Sequence, residues 1–250
     1  MASLTGCSID KGGIYTLTAT DGSLTPATSG SLTISAGAAA TVSVVSGSTQ
    51  SATVAAAFSN PLVALVALVT DAYANPVSGA TVTFTAPATG GSGTFTNASR
   101  ITTAVTGSNG QATASVFTAN TTAGPCSVTA IAGSGSATFA LTNTAAAANK
   151  LAFGQQPSNT VAGVAISPAP TVRILDQFGN LTSSTASVTI AIGTNPSAGT
   201  LSGTKTVDAV NGVAPFSELS IDRAGNGYTL RATSSGLTSI ESKVFNISGG

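Results

Sequence analysis

Eight acids, eight bases, two cysteines and a large stock of hydroxyls are all that this sequence offers for chemistry. The acids are Asp10, Asp21, Asp71, Asp176, Asp208, Glu218, Asp222 and Glu241, mostly scattered singly beside turn residues. General acid–base catalysis needs a histidine, or carboxylates placed closely enough to tune each other. The chain has no His, so none of its many Ser and Thr residues has an imidazole base to activate it. For the same reason a His-ligated catalytic zinc is excluded, and Cys7 and Cys126 stand too far apart to make a structural zinc site. The bases balance the acids to a net charge of zero and form no stripe, which makes nucleic acid a poor partner. These residues predict a protein that is not an enzyme and carries no cofactor.

Two pairs of polar residues still need a role. Asp71 with Asn75, and Asp176 with Asn180, share one spacing and sit in turns between apolar runs. Their oxygens could hold calcium at turns between domains. One carboxylate per turn is thin for an ion that takes about six to eight oxygen ligands. An Asx turn, in which the side chain bonds its own backbone, explains the same residues without a metal.

The elements that must position these residues read as strands. Thr and Val alternate in "ATVTFTA" (80–86), "ATASVFTA" (112–119) and "ASVTIAI" (186–192), and Gly, Asn and Pro interrupt them. No segment shows helical spacing with caps. The longest strongly apolar run, "LVALVALV" from Leu62 to Val69, has 8 residues. A membrane-spanning helix needs about 20, so no transmembrane segment is expected.

The chain also repeats itself. "DAYANPVSGATVTF" begins at Asp71, and "DQFGNLTSSTASVTI" begins 105 residues later at Asp176. "SIDKGGIYTLTAT" from Ser8 matches "SIDRAGNGYTLRAT" from Ser220. A period near 105 residues with about seven short strands is the size of an immunoglobulin-like sandwich. The predicted fold is therefore all-β: tandem immunoglobulin-like antiparallel β-sandwiches, two complete, with an N-terminal partial one. The expected boundaries are 1–37 for the last strands of a partial repeat, then 38–147 and 148–250 for the complete ones. "MAS" reads as an expression start, and the shortened first repeat as a cut from a longer array.

Tyr15 and Tyr228 follow Asp10 and Asp222 at nearly the same spacing, which predicts the tyrosine corner of such sandwiches. Cys126 takes that place in the central repeat, while Cys7 aligns with Leu219. Neither complete repeat holds two cysteines, which excludes a bridge within one; the differing positions predict no Cys7–Cys126 bridge within the chain, and both read as small buried apolar strand residues.

The pattern Asp-x-x-x-Asn-Pro-Val-x-Gly-x-x-Val-x-Phe over Asp71–Phe84, then Asn-Gly-x-Ala at 109–112 and Thr-x-Ala-Gly at 121–124, resembles the bacterial Ig-like repeats of invasin- and intimin-type surface adhesins. The third repeat keeps Asp176, Gly179, Asn180 and the Val188-x-Ile190 strand, without the Pro-Val-x-Gly. The resemblance implies an extracellular or cell-surface location and a mainly structural role. It also makes other Ig-like repeats, of the same or a neighbouring chain, the expected partners.

Two functions remain open. One is a passive stalk segment of a surface adhesin. The other is a self-assembling subunit of an extracellular filament, a homo-oligomer completed by strands shared between neighbouring chains. The second draws on the low charge, since residues 38–147 hold one acid, Asp71, and one base, Arg100. It also draws on strand phase. Carrying the alternation of "PTVRILD" back by one period turns Ala67 and Val69 inward and leaves Leu62, Val66 and Leu68 outward. A second interface is expected where the partial repeat lacks its other sheet, along Ile9, Tyr15, Leu17, Leu32 and Ile34. Receptor binding by the third repeat ranks behind both.

Overall fold

The computed structural model describes residues 5–58 and 65–250, and among these every regular element is a strand. Because no helix is present among them, none is long and apolar enough to cross a membrane. The chain divides into two compact units, Met1–Asn120 with Gly124–Asn143, and Thr121–Ala123 with Thr144–Gly250. The sequence boundary at 147/148 lies four residues beyond this division.

In the first unit a five-stranded sheet runs in the order Ile101–Val105, Thr81–Thr85, Gly124–Ala132, Gly135–Thr144, Gln50–Thr53. A three-stranded sheet, Gln111–Thr113, Val66–Thr70, Thr41–Ser46, shares its core. Val69, Val82, Phe84, Val128 and Phe139 are fully buried between them. Alternation does this work: in Thr81–Thr85, Val82 and Phe84 point inward and the threonines outward.

"ATASVFTA" departs from the single strand expected of it. Gln111–Thr113 pairs with Val66–Thr70, whereas Phe117–Ala119 pairs with Gly93–Phe95. Between them the Ala114 N–H bonds Leu65 at 3.0 Å, and the Phe58 N–H bonds the Phe117 carbonyl at 2.9 Å. Ala112, Ala114 and Phe117 are buried while Val116 is exposed, so the inward phase slips by one residue. The segment changes sheets at Ser115–Val116.

The second unit builds its sandwich from three main sheets. One is Thr206–Asp208, Ser187–Ile192, Leu230–Thr233, Ile240–Glu241. The others are Lys150–Gln155, Thr171–Leu175, Val213–Pro215, and Thr160–Val161, Phe245–Ser248, Gly225–Tyr228. Val172, Ile174, Val188, Phe216, Tyr228 and Leu230 show no exposed surface.

Residues 5–37 form two small pairs, Gly13–Tyr15 with Leu32–Ile34 and Thr18–Ala19 with Ala27–Thr28. Their register repeats that of the last strands of the second unit. Gly13 faces Ile34 as Gly225 faces Ile247, and Ala19 faces Ala27 as Ala232 faces Ile240. Cys7, expected in a buried strand position, is exposed and precedes the first strand. Among the described residues no second sheet covers this hairpin, so none of them draws the thiol inward.

Candidate functional site

The Asp-x-x-x-Asn turns carry the densest polar chemistry of the chain. Asp71 Oδ1 accepts the N–H groups of Tyr73 and Asn75, each at 2.9 Å. Its Oδ2 accepts the Gly37 N–H at 2.8 Å and the Asn75 side-chain amide at 2.9 Å. The same amide donates to the Asp10 carbonyl at 2.7 Å, and Asn75 Oδ1 accepts the Gly12 N–H at 2.9 Å. One Asx turn thereby ties three stretches of chain together. Asp71 is 4% exposed.

One period later the arrangement recurs inside the second unit. Asp176 Oδ1 accepts from Phe178 N at 2.9 Å and Asn180 N at 2.8 Å. Oδ2 accepts from Ala146 N and from the Asn180 amide, both at 2.9 Å. The Asn180 amide also donates to the Thr121 carbonyl, and its oxygen accepts the Ala123 N–H, again at 2.9 Å. The fourth turn residue takes a left-handed conformation in both knots, with φ of 61° at Ala74 and 92° at Gly179.

These bonds set the acidity of both carboxyls. The Asn75 side chain, with the N–H groups of Asn75, Gly37 and Tyr73, holds Asp71 far below the usual carboxylate range, against the upward push of burial. For Asp176 burial pushes the carboxyl up, and the amides of Asn180, Ala146 and Phe178 together outweigh it, leaving the group lowered. Every carboxylate oxygen already has two N–H donors, so an amide must leave before calcium could take its place. Among the described residues no group of three or more His, Cys, Asp or Glu is placed to hold a metal.

The tyrosine corner forms in the second unit, where the fully buried Tyr228 donates from its hydroxyl to the Arg223 carbonyl at 3.0 Å. Cys126 holds the matching place in the first, 1% exposed, its thiol pushed up to about 11 by burial. Among the described residues Tyr15 makes no such bond, and its ring lies over Gly13 instead.

The expected interface residues fall into two separate groups. Val66 and Leu68 are half-buried on the outer face of their strand, while Ala67 and Val69 are fully buried. Ser43 and Gln111 flank Leu68 across the ladders, and Ser46 and Thr113 flank Val66. Leu62 lies outside the described residues. In the first hairpin Tyr15 and Leu32 are ladder partners beside Ile34. Ile9, Tyr15 and Ile34 are half-buried, whereas Leu17 and Leu32 are 57% and 42% exposed. The partners of the Asp–Asn turns at Asp10, Gly12, Gly37, Thr121, Ala123 and Ala146 escaped sequence reasoning. They bond through backbone atoms, which leave no mark in residue type.

No protein-family model and no curated protein matches the chain. Among solved structures it is similar to the Escherichia coli adhesin FdeC, with 18% identity over 87% of this chain and 67% of that one, and a TM-score of 0.42. It is similar to the Yersinia pseudotuberculosis adhesin InvE at 18% identity, over 82% of this chain and 58% of that one, with a TM-score of 0.37. A β-glycosidase from Bacteroides vulgatus is similar at 11% identity, over 82% of this chain and 24% of that one, with a TM-score of 0.36. The chain spans about two thirds of FdeC and less of the other two. Bacterial adhesins are thus among the structures it resembles, and so is an enzyme. At such scores the likeness transfers no activity.

Proposed function

We propose that this chain is a non-catalytic structural module of a bacterial surface adhesin, a stalk of tandem Ig-like repeats working outside the cell. One observation carries the reading. The buried carboxylates and amides with the most perturbed chemistry hold backbone N–H and carbonyl groups, not a cleft: Asp71 and Asp176 each accept four N–H hydrogens. Side chains committed in this way fix chain geometry and offer nothing to a substrate. The invasin-like motif over Asp71–Phe84 supports the surface setting. Sedimentation velocity tests it, with a single monomeric species expected across a hundredfold range of concentration. Large or fibrous particles would overturn the stalk reading.

A filament subunit is the second reading, favoured by the exposed Leu17 and Leu32 of the first hairpin and by the single acid and base of residues 38–147. If association is seen, Leu17→Ser with Leu32→Ser should abolish it. Unchanged association in that variant removes the hairpin as the assembly element.

A further inference from the structure

Both knots grip the same three backbone groups. Each takes one carbonyl and one N–H from the stretch leading into a strand, and a second N–H from the stretch leaving its ladder partner. In the first, Gly12 N–H lies one residue ahead of Gly13, and Asp10 carbonyl three ahead. Gly37 N–H lies three residues beyond Ile34, which pairs with Gly13. The second follows the same count, with Ala123 and Thr121 ahead of Gly124, and Ala146 three residues beyond its partner Asn143.

The third repeat has the same ladder, in which Gly225 pairs with Ile247. Counting from it gives Ala224 N–H, Asp222 carbonyl and Gly250 N–H. All three residues are exposed, and among the described residues none of these three groups has a hydrogen-bond partner. Arg223 stands where the first hairpin has Lys11, whose ammonium donates to the Tyr73 carbonyl of the docked turn. A cation therefore lies beside this position too, suited to a turn that brings a carboxylate.

We infer that this face of the third repeat is a docking surface for the Asp-x-x-x-Asn turn of a further Ig-like repeat of this pattern. The carboxamide of the incoming Asn supplies a donor to the Asp222 carbonyl and an acceptor to the Ala224 N–H. The incoming Asp supplies an acceptor to the Gly250 N–H. A second folded copy of this chain is a poor occupant, because both of its turns already hold their own three groups. The inference rests on the reading of the chain as a module of tandem repeats.

The test extends the full chain directly past Gly250 with a second copy of residues 147–250, since Ala146 is the counterpart of Gly250. Amide hydrogen exchange is then followed by NMR. In the chain as it stands Ala224 and Gly250 exchange fast; in the extended chain both should slow by about tenfold or more. Asp176→Ala in the appended copy should return Gly250 to its fast rate. Asn180→Leu in that copy removes only the carboxamide, so Ala224 should speed up while Gly250 stays slow. Fast exchange at both amides, with the appended core protected, overturns the docking surface and leaves the tandem reading intact as a string of free repeats. Slowing that survives both substitutions overturns it as well.

Discussion

One stretch of sequence occurs twice in this chain and meets two different surroundings. Ser8–Ile34 and Ser220–Ile247 share one acid, Asp10 matching Asp222, their tyrosine and their ladder register. In the later copy Ile221, Tyr228 and Leu230 have no exposed surface, and Phe245 and Ile247 keep 3% and 2%. In the earlier copy the matching Leu17 and Leu32 are largely open to solvent. Local pairing therefore forms without an opposing sheet, while burial needs one. The later hairpin has one, the sheet of Lys150–Gln155, Thr171–Leu175 and Val213–Pro215, whose Leu151, Val172, Ile174 and Ala214 share its core. Period-two alternation makes a face apolar; only tertiary context makes it a core.

The largest expected effect follows from that difference. Leu230→Ala should destabilise the second unit by about 3 kcal/mol, the usual cost of emptying a buried leucine site. Leu17→Ala, at the matching position, should stay within about 0.5 kcal/mol. Calorimetry of each variant checks both. An equal loss at Leu17 would show that the first hairpin is covered in solution, and would bring the filament reading forward.

A smaller effect concerns acid. Asp71 and Asp176 both titrate below the ordinary 3.8 when folded. Their contribution to stability is therefore complete above the unfolded value and is lost as pH falls through it toward the lower folded values. Both units should hold their melting temperature from neutral pH to about pH 5 and lose it steeply below about pH 4. Asp176→Asn puts an N–H₂ group where an oxygen met amide donors. It should lower the melting temperature at pH 7 and draw level with the parent near pH 2. A variant that keeps the parent's acid slope would show that other carboxylates set it.

Much of this architecture is legible in the amino-acid sequence. The 105-residue offset relates Asp71 and Asn75 to Asp176 and Asn180, and the Asx turns stand where that offset puts them. The alternation of "TVRIL" assigns Val172 and Ile174 to the inside, where they are fully buried. The sheet change at Ser115–Val116 was not legible, because a run of Ala, Ser, Thr and Val satisfies strand propensity on either sheet. The long reach of the knots was hidden for another reason. Gly37 and Ala146 contribute only an N–H, which every residue but proline has, and they lie 34 and 30 residues from their carboxylates.

The smallest effect separates the two tyrosines. The Tyr228 hydroxyl is enclosed with its ring and donates to the Arg223 carbonyl. Tyr228→Phe removes that bond while keeping the ring's packing against Phe245, whose centroid lies 6.2 Å away. Arg223 is exposed, so water can replace the lost donor at its carbonyl, and the cost reduces to the net value of one hydrogen bond, about 1 kcal/mol. For a unit of this size that is a fall of roughly 4–8 °C in melting temperature. Tyr15→Phe should give no measurable fall, because the half-buried Tyr15 makes no corner bond among the described residues. A matching fall at Tyr15 would mean that the first hairpin closes its own corner in solution, and that a tyrosine corner needs only the turn and its strand, not the opposing sheet.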